Sequence, residues 1–249
     1  MVNFVGAGPG AADLITVRGM ELLKAADVII YAGSLVNKEL LRYAGQGCEI
    51  YNSAEMTLEE VISVMEQNRD KSVVRLHTGD PAVYGAIREQ MDELDRLGIE
   101  YDVCPGVSSM FGAAAALKAE YTLPGVSQSV IITRMAGRTP VPEKESIESF
   151  AAHGATMVIF LSAGMLKELR ERLIAGGYAP ETPAAIIYKA THEDEKVIRT
   201  CVAELAEAAE KNGITKTALI TVGGFLEGGY DRSKLYDPGF SHEFRKGTE

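Results

Sequence analysis

The chain has 249 residues, enough for one large or two smaller domains, and its 46% hydrophobic content, 25 glycines, nine prolines and absence of tryptophan suit a globular α/β protein with many short turns. Thirty-five acidic residues against 25 basic ones leave a formal charge of −10, which repels polyanions and argues against a broad nucleic-acid surface while allowing local Arg and Lys to hold a small acidic ligand. Cys48, Cys104 and Cys201 have neither zinc spacing nor a disulfide framework, the chain opens on Val2-Asn-Phe-Val5 without an apolar leader, and no apolar run is long enough for a membrane, so a soluble cytoplasmic protein is expected.

Val2 to Val5 reads as a strand running into Gly6-Ala-Gly-Pro-Gly10, with a helix near 16–25. Gly6 to Ala11 matches the dinucleotide-binding fingerprint with Ala in its third place. Pro9, however, removes a backbone N–H from the loop, and the second strand, Val28-Ile-Ile-Tyr31, ends in Ala32-Gly33 without an acidic residue for a ribose hydroxyl, which disfavours a nicotinamide nucleotide. A short strand near 49–51 and a helix over 58–67, with Val61, Ile62 and Met65 on its apolar face, come next.

Lys71-Ser-Val-Val-Arg75 then leads into Leu76-His-Thr-Gly-Asp-Pro-Ala-Val-Tyr-Gly85. This stretch predicts a buried strand, a tight turn, and Asp80-Pro81 as the N-cap and first residue of a helix that continues to Leu97. Tyr101 to Cys104 is a further strand, entering Pro105-Gly-Val-Ser-Ser109 and an Ala-rich helix to Lys118. The βαβα order predicts a mostly parallel sheet covered on both faces. The glycine-bearing exits 6–10, 79–80 and 105–109 are expected to converge on one edge, where open α/β sheets bind ligands.

Glu120 to Gly125 reads as a linker between domains 1–119 and 120–249. The second series has strands near 129–132, 155–161, 184–189, 196–201 and 217–222, helices at 165–175 and 202–211, no repeat of the first motifs, and a tail from Phe225 without a clear period. His77, His153, His192 and His242 share no metal-ligand spacing and no acidic cluster completes a site, so no protein-bound metal is expected. His77 reads as a hydrogen-bonded, shape-filling residue at its strand exit. No nucleophile elbow and no Walker loop is present. Arg134 and Arg138, inside the Gly- and Pro-bounded loop Thr133-Arg-Met-Ala-Gly-Arg-Thr-Pro-Val-Pro142, are suited to clamp carboxylates.

Taken together, Val5-Gly-Ala-Gly-Pro-Gly10 with Leu14, Thr16 and Arg18-Gly19, Gly79-Asp-Pro81 with Tyr84-Gly85, and Pro105-Gly-Val-Ser-Ser109 resemble the tetrapyrrole methylase family. The resemblance implies an S-adenosylmethionine (SAM) enzyme that is a homodimer of chains with two α/β domains, each a mixed, mostly parallel sheet flanked by helices, with the ligand cleft between them. Tyr121-Thr-Leu-Pro124 with Ser127-Gln128, Gly137-Arg-Thr-Pro-Val-Pro142, and Ser233-Lys-Leu-Tyr-Asp-Pro238 with Phe244-Arg245 are closer to the branch that methylates corrinoid precursors at ring carbon C-11 in cobalamin synthesis. Methylation of another tetrapyrrole carbon and a non-enzymatic nucleotide-binding module remain the alternatives.

Carried over by motif, SAM, which leaves as S-adenosylhomocysteine, is expected to touch Pro9, Thr78, Gly79, Asp80, Val83, Tyr84, Ser108 and Ser109, and from the second domain Leu161, Ser162, Ala190 and Ala218. The family's corrinoid substrates carry several carboxylates, for which Arg134, Arg138, Lys189 and Arg75 are the expected clamps. No catalytic acid or base is assigned, because displacement at a sulfonium consumes positive charge and needs alignment and desolvation more than proton transfer.

Overall fold

The computed structural model describes residues 1–248, and the chain divides into two compact units, Met1–Ala113 with Lys189–Glu195, and Ala114–Tyr188 with the chain from Lys196 onward. The division falls at 113/114 where the sequence suggests 119/120, and it returns seven residues, 189–195, to the first unit.

The first unit carries β1 (Val2–Gly6), β2 (Val28–Tyr31), β3 (Glu49–Asn52), β4 (Val73–His77) and β5 (Tyr101–Cys104) in one sheet of order β3-β2-β4-β1-β5. Every pairing is parallel. The crossovers contain α1 (Val17–Lys24), α2 (Leu58–Gln67) and α3 (Ile87–Leu97), and β5 leads to α4 (Ser109–Leu117). Alternate residues of each strand enter opposite cores. Val5, Ile29, Val74 and Leu76 pack with Leu23 of α1 on one face. Phe4, Ile30 and Val73 pack on the other with Val61, Ile62 and Met65 of α2 and Leu94 of α3. Each such side chain contributes about 1.5–3 kcal/mol when fully buried. A capping box between Thr57 and Glu60 starts α2.

The helix expected from Pro81 starts six residues later, at Ile87. Asp80 Oδ1 accepts the Ala82 N–H at 2.8 Å and the Asp80 carbonyl accepts that of Val83 at 3.2 Å, which closes a turn. Tyr84 (φ 57°) and Ala86 (φ 50°) then adopt left-handed backbone that no right-handed helix can pass through. Asp followed by Pro starts a turn by the same chemistry that starts a helix.

The second unit holds β6 (Val130–Arg134), β7 (Thr156–Phe160), β8 (Pro183–Tyr188), β9 (Lys196–Cys201) and β10 (Ala218–Val222), in the order β6-β7-β10-β8-β9. The sheet is mixed, as expected, but antiparallel pairs outnumber parallel ones: only β6 and β7 run parallel. The seven residues between β8 and β9 are too few for a crossover helix, so those strands form a hairpin. α5 (Ile147–Ala151), α6 (Leu166–Ala175) and α7 (Leu205–Lys211) pack Ile147, Leu169, Leu173 and Leu205 against Met157, Ile159, Ile186 and Ile220. The tail is irregular, gathered by the Arg245 guanidinium, which donates to the Leu235 and Asp237 carbonyls at 2.9 and 2.6 Å. Among the described residues no helix is long and apolar enough to cross a membrane.

Candidate functional site

Strand order dictates where the first unit can bind a ligand. β4, β1 and β5 are neighbours, and the helices that follow β1 and β4 lie on opposite faces of the sheet. Adjacent strands whose connections diverge in this way leave a crevice at their carboxyl ends. The loops at that edge touch through main chain. Gly8 and Gly79 pair reciprocally, with the Gly79 N–H donating to the Gly8 carbonyl at 2.9 Å and the Gly8 N–H to the Gly79 carbonyl at 3.3 Å. A Cβ on Gly6 would stand 2.5 Å from Gly106 Cα and 2.7 Å from Gly79 O, and one on Gly106 would stand 2.6 Å from Gly6 Cα. The three glycine-bearing exits therefore form one backbone cluster.

Asp80 ties that cluster together. While Oδ1 holds its own turn, Oδ2 accepts the Gly106 N–H at 2.9 Å, so one carboxylate links the exits of β4 and β5. The helix-cap role expected of it is replaced by this double role.

The other expected cofactor residues of this unit lie around the same cluster. Gly79 (φ 61°) presents its open side to Ser108 and Ser109 at the start of α4, Pro9 is buried against Gly112, and Thr78 and Val83 are half-buried on the β4 exit. Tyr84 is 45% exposed despite its left-handed backbone. With Leu14, Leu35, Val107 and Phe111, also exposed and also following strand exits, it leaves apolar surface at the carboxyl edge of the sheet. Apolar surface rimmed by polar turns is the signature of a ligand-binding face. Non-glycine residues held at positive φ cost of order 1–3 kcal/mol each and concentrate at functional sites.

Ala190 joins this group. It belongs to the 189–195 segment, and its carbonyl lies 2.6 Å from where a Cβ on Gly10 would be. Lys189 (φ 46°) sits beside it, its ammonium paired with Asp194 at 2.6 Å. Thr191, which no motif in the sequence marks, accepts the Ala11 N–H on Oγ1 at 2.9 Å. Its only signal in the sequence is a polar run between two strands.

In the second unit Leu161 directly follows β7, with φ 52° and 63% exposure. Ser162 is fully buried, and its hydroxyl donates to the Phe160 carbonyl at 2.7 Å and accepts the Met135 N–H at 3.0 Å. Its side chain thus fixes the exits of β6 and β7 and leaves only its backbone to meet a ligand. Ala218 opens β10 opposite Tyr188.

The four expected basic clamps have different fates. Arg134 donates to the carbonyls of Met135, Thr139 and Pro140 at 3.1, 3.1 and 2.8 Å, folding the loop around its own guanidinium. Arg138 stands exposed at the apex of that loop and has no hydrogen-bond or ion-pair partner among the described residues. Arg75, expected as a clamp, is instead buried, donating Nε to Gln90 Oε1 at 3.0 Å and Nη1 to the Ile30 carbonyl at 3.2 Å, so it braces α3 and β2 against β4. Burial alone brings its pKa down to about 10. His77 is buried on the same strand, and burial, helped by the charge of Arg75, pushes it down to about 3, so it stays neutral. Among the described residues no three His, Cys, Asp or Glu side chains gather to hold a metal.

Against known proteins, the family model described as Tetrapyrrole (Corrin/Porphyrin) Methylases matches residues 1–206. The cobalt-precorrin-4 C(11)-methyltransferase of Methanocaldococcus jannaschii is 56% identical over 248 residues, which cover 98% of this chain and 96% of that protein. The X-ray structure of a cobalamin biosynthetic enzyme, cobalt precorrin-4 methyltransferase, superposes with a TM-score of 0.89 at 47% identity, covering 91% of this chain and 96% of that one. A uroporphyrin-III C-methyltransferase from Thermus thermophilus, complexed with S-adenosylhomocysteine, superposes with a TM-score of 0.76 at 26% identity, covering 91% and 93%. The chain belongs to the tetrapyrrole (corrin/porphyrin) methylase family.

Proposed function

We propose that this chain transfers a methyl group from SAM to ring carbon C-11 of cobalt-precorrin-4 and releases S-adenosylhomocysteine, a step of cobalamin synthesis. The observation that carries the reading is the meeting of Gly6, Gly79 and Gly106 at the carboxyl edge of the parallel sheet, in a chain similar over nearly its full length to an enzyme of that name. SAM supplies an electrophilic methyl on a positively charged sulfur.

The chain's contribution is alignment. The glycine exits offer main-chain atoms without intervening side chains, and Asp80 keeps two of the loops in register. The exposed ring of Tyr84 and the half-buried Val83 give the adenosine apolar surface, and Ser108 and Ser109 give it small polar contacts. Arg138 takes a carboxylate of the corrinoid, on a loop that Arg134 keeps folded. Holding the acceptor carbon about 3–3.5 Å from the methyl provides much of the acceleration through proximity. Cobalt enters as part of the substrate.

The protein works in the cytoplasm as a homodimer. Its three cysteines are free thiols, in keeping with a reducing compartment. The exposed Leu235, Tyr236 and Phe244 of the tail offer apolar surface to a second copy. Incubation with SAM and precorrin-4, with and without cobalt, followed by NMR location of the new methyl, tests the reading. A methyl at another ring carbon, or none, overturns it.

A further inference from the structure

The 189–195 segment is built with unusual care for a hairpin tip. Lys189 and Thr191 both hold left-handed backbone, at φ 46° and 68°, and for a β-branched residue such as Thr191 this is a real departure from allowed conformations. The tip is stitched to itself: Lys189 pairs with Asp194 at 2.6 Å, the Thr191 N–H donates to Glu195 Oε2 at 2.6 Å, and the His192 N–H donates to the Lys189 carbonyl at 3.0 Å. That stitching presents four groups to the β1 exit loop and to α4 beside it. Thr191 Oγ1 accepts the Ala11 N–H at 2.9 Å. The Thr191 methyl approaches Gly112, 3.3 Å from where a Cβ there would stand, beside Pro9. The His192 ring and the Ala190 carbonyl occupy the space a Cβ on Gly10 would need. The last glycine of Gly6-Ala-Gly-Pro-Gly10, which invites a ligand reading in the sequence, is thus required by the tip.

We propose that Thr191 is a positioning residue for the cofactor loop, its hydroxyl and methyl holding Pro9 to Ala11 in the shape that receives SAM. The inference rests on the reading that the first unit's strand exits hold SAM. It adds that this loop is not self-supporting and takes its final form from a residue 180 positions further along the chain.

The test compares the full-length wild type with Thr191→Val, which keeps the β-branched shape and loses the acceptor, and with Thr191→Ser, which keeps the acceptor. Titration calorimetry with S-adenosylhomocysteine is expected to show Thr191→Val binding about three- to tenfold more weakly, the worth of one hydrogen bond, and Thr191→Ser binding within about twofold of wild type. In turnover the KM for SAM rises in Thr191→Val while the KM for the tetrapyrrole stays constant, a split that general loosening of the fold does not produce. Without ligand, hydrogen exchange at the Ala11 amide is faster in Thr191→Val and restored in Thr191→Ser. Equal binding and equal Ala11 exchange in wild type and Thr191→Val overturn the proposal. Should wild type not bind S-adenosylhomocysteine at all, the reading of the site falls, and the exchange comparison still decides whether Thr191 holds the loop. If Thr191→Val does not fold, Thr191→Ala against Thr191→Ser decides by the same two measurements.

Discussion

The exits of the first unit's parallel sheet and the exits of the second unit's antiparallel-rich sheet do comparable jobs with different materials. In the first, glycines let three backbones touch, and one carboxylate, Asp80, bridges two of the loops. In the second, side chains carry the order: the Ser162 hydroxyl links the exits of β6 and β7, and Arg134 winds the 134–140 loop around its guanidinium. The buried polar groups differ likewise. The first unit encloses Arg75 and His77 together with Asn3, Asn68, Gln90 and Ser108, whereas the polar side chains buried in the second, Thr133, Thr156, Ser162 and Thr221, are all hydroxyls. A parallel sheet brings the ends of several strands to one edge, so its loops must share a small space, and glycine is the residue that permits it.

If this contrast is right, Gly106→Ala has the largest effect of the substitutions considered. Its Cβ has rigid backbone on two sides, Gly6 and Gly79, and the cost is expected at about 2–3 kcal/mol with loss of S-adenosylhomocysteine binding. Gly213→Ala in the second unit meets open space and only the strain of φ 67°, about 1 kcal/mol. Urea unfolding of both variants checks this, and equal costs would break the contrast. Next comes Asp80→Ala, expected to lose about 2 kcal/mol and to weaken binding of S-adenosylhomocysteine, because two N–H groups lose their acceptor. Asp80→Asn, with one acceptor oxygen left, recovers part of the loss in the same assay.

A pH series sharpens the comparison of the buried groups. His77 is held well below its ordinary 6.5, down to about 3, so between those values the unfolded chain binds a proton that the folded chain does not. The stability tied to His77 is therefore complete above about pH 6.5 and declines as the pH falls, by up to about 1.4 kcal/mol per unit. His77→Leu should flatten that slope in denaturant unfolding between pH 6 and 4, and an unchanged slope would remove His77 from the account. The smallest effect on stability belongs to Arg138→Ala, expected within about 0.5 kcal/mol because the side chain is exposed at a loop apex. Its signature is kinetic: about a tenfold rise in the KM for the tetrapyrrole at constant SAM affinity, the loss of one charge-assisted contact. A weakened SAM titration with normal tetrapyrrole kinetics would reassign it.

What the sequence disclosed follows the range of the interactions involved. The helix over 58–67, with Val61, Ile62 and Met65 inward, and the strand Tyr101 to Cys104 are local patterns that tertiary structure leaves intact. The convergence of the glycine exits could be anticipated because strand order in a parallel sheet constrains where loops emerge. Asp80 was legible as a cap, but its second acceptor contact, to Gly106, lies 26 residues away and carries no periodic signal. Arg75 looked available because its strand reaches the site edge, yet strand alternation turns it into the α3 side of the sheet with Phe4 and Ile30. The direction of β9 and β10 was obscure for a related reason, since a strand pattern does not encode which neighbour it pairs with.

The discontinuity of the first unit has a consequence for how the protein is made. The ribosome delivers Met1–Ala113 first, then all of Ala114–Tyr188, and only afterwards Lys189–Glu195. At about 5–20 residues per second, the parallel sheet stands for several seconds with the Ala11 N–H lacking its threonine acceptor and the shoulder at Gly10 uncovered. The nascent chain therefore emerges with the first unit complete except for the hairpin tip that braces its β1 exit loop, and translation speed through 114–188 sets how long that loop stays without its brace.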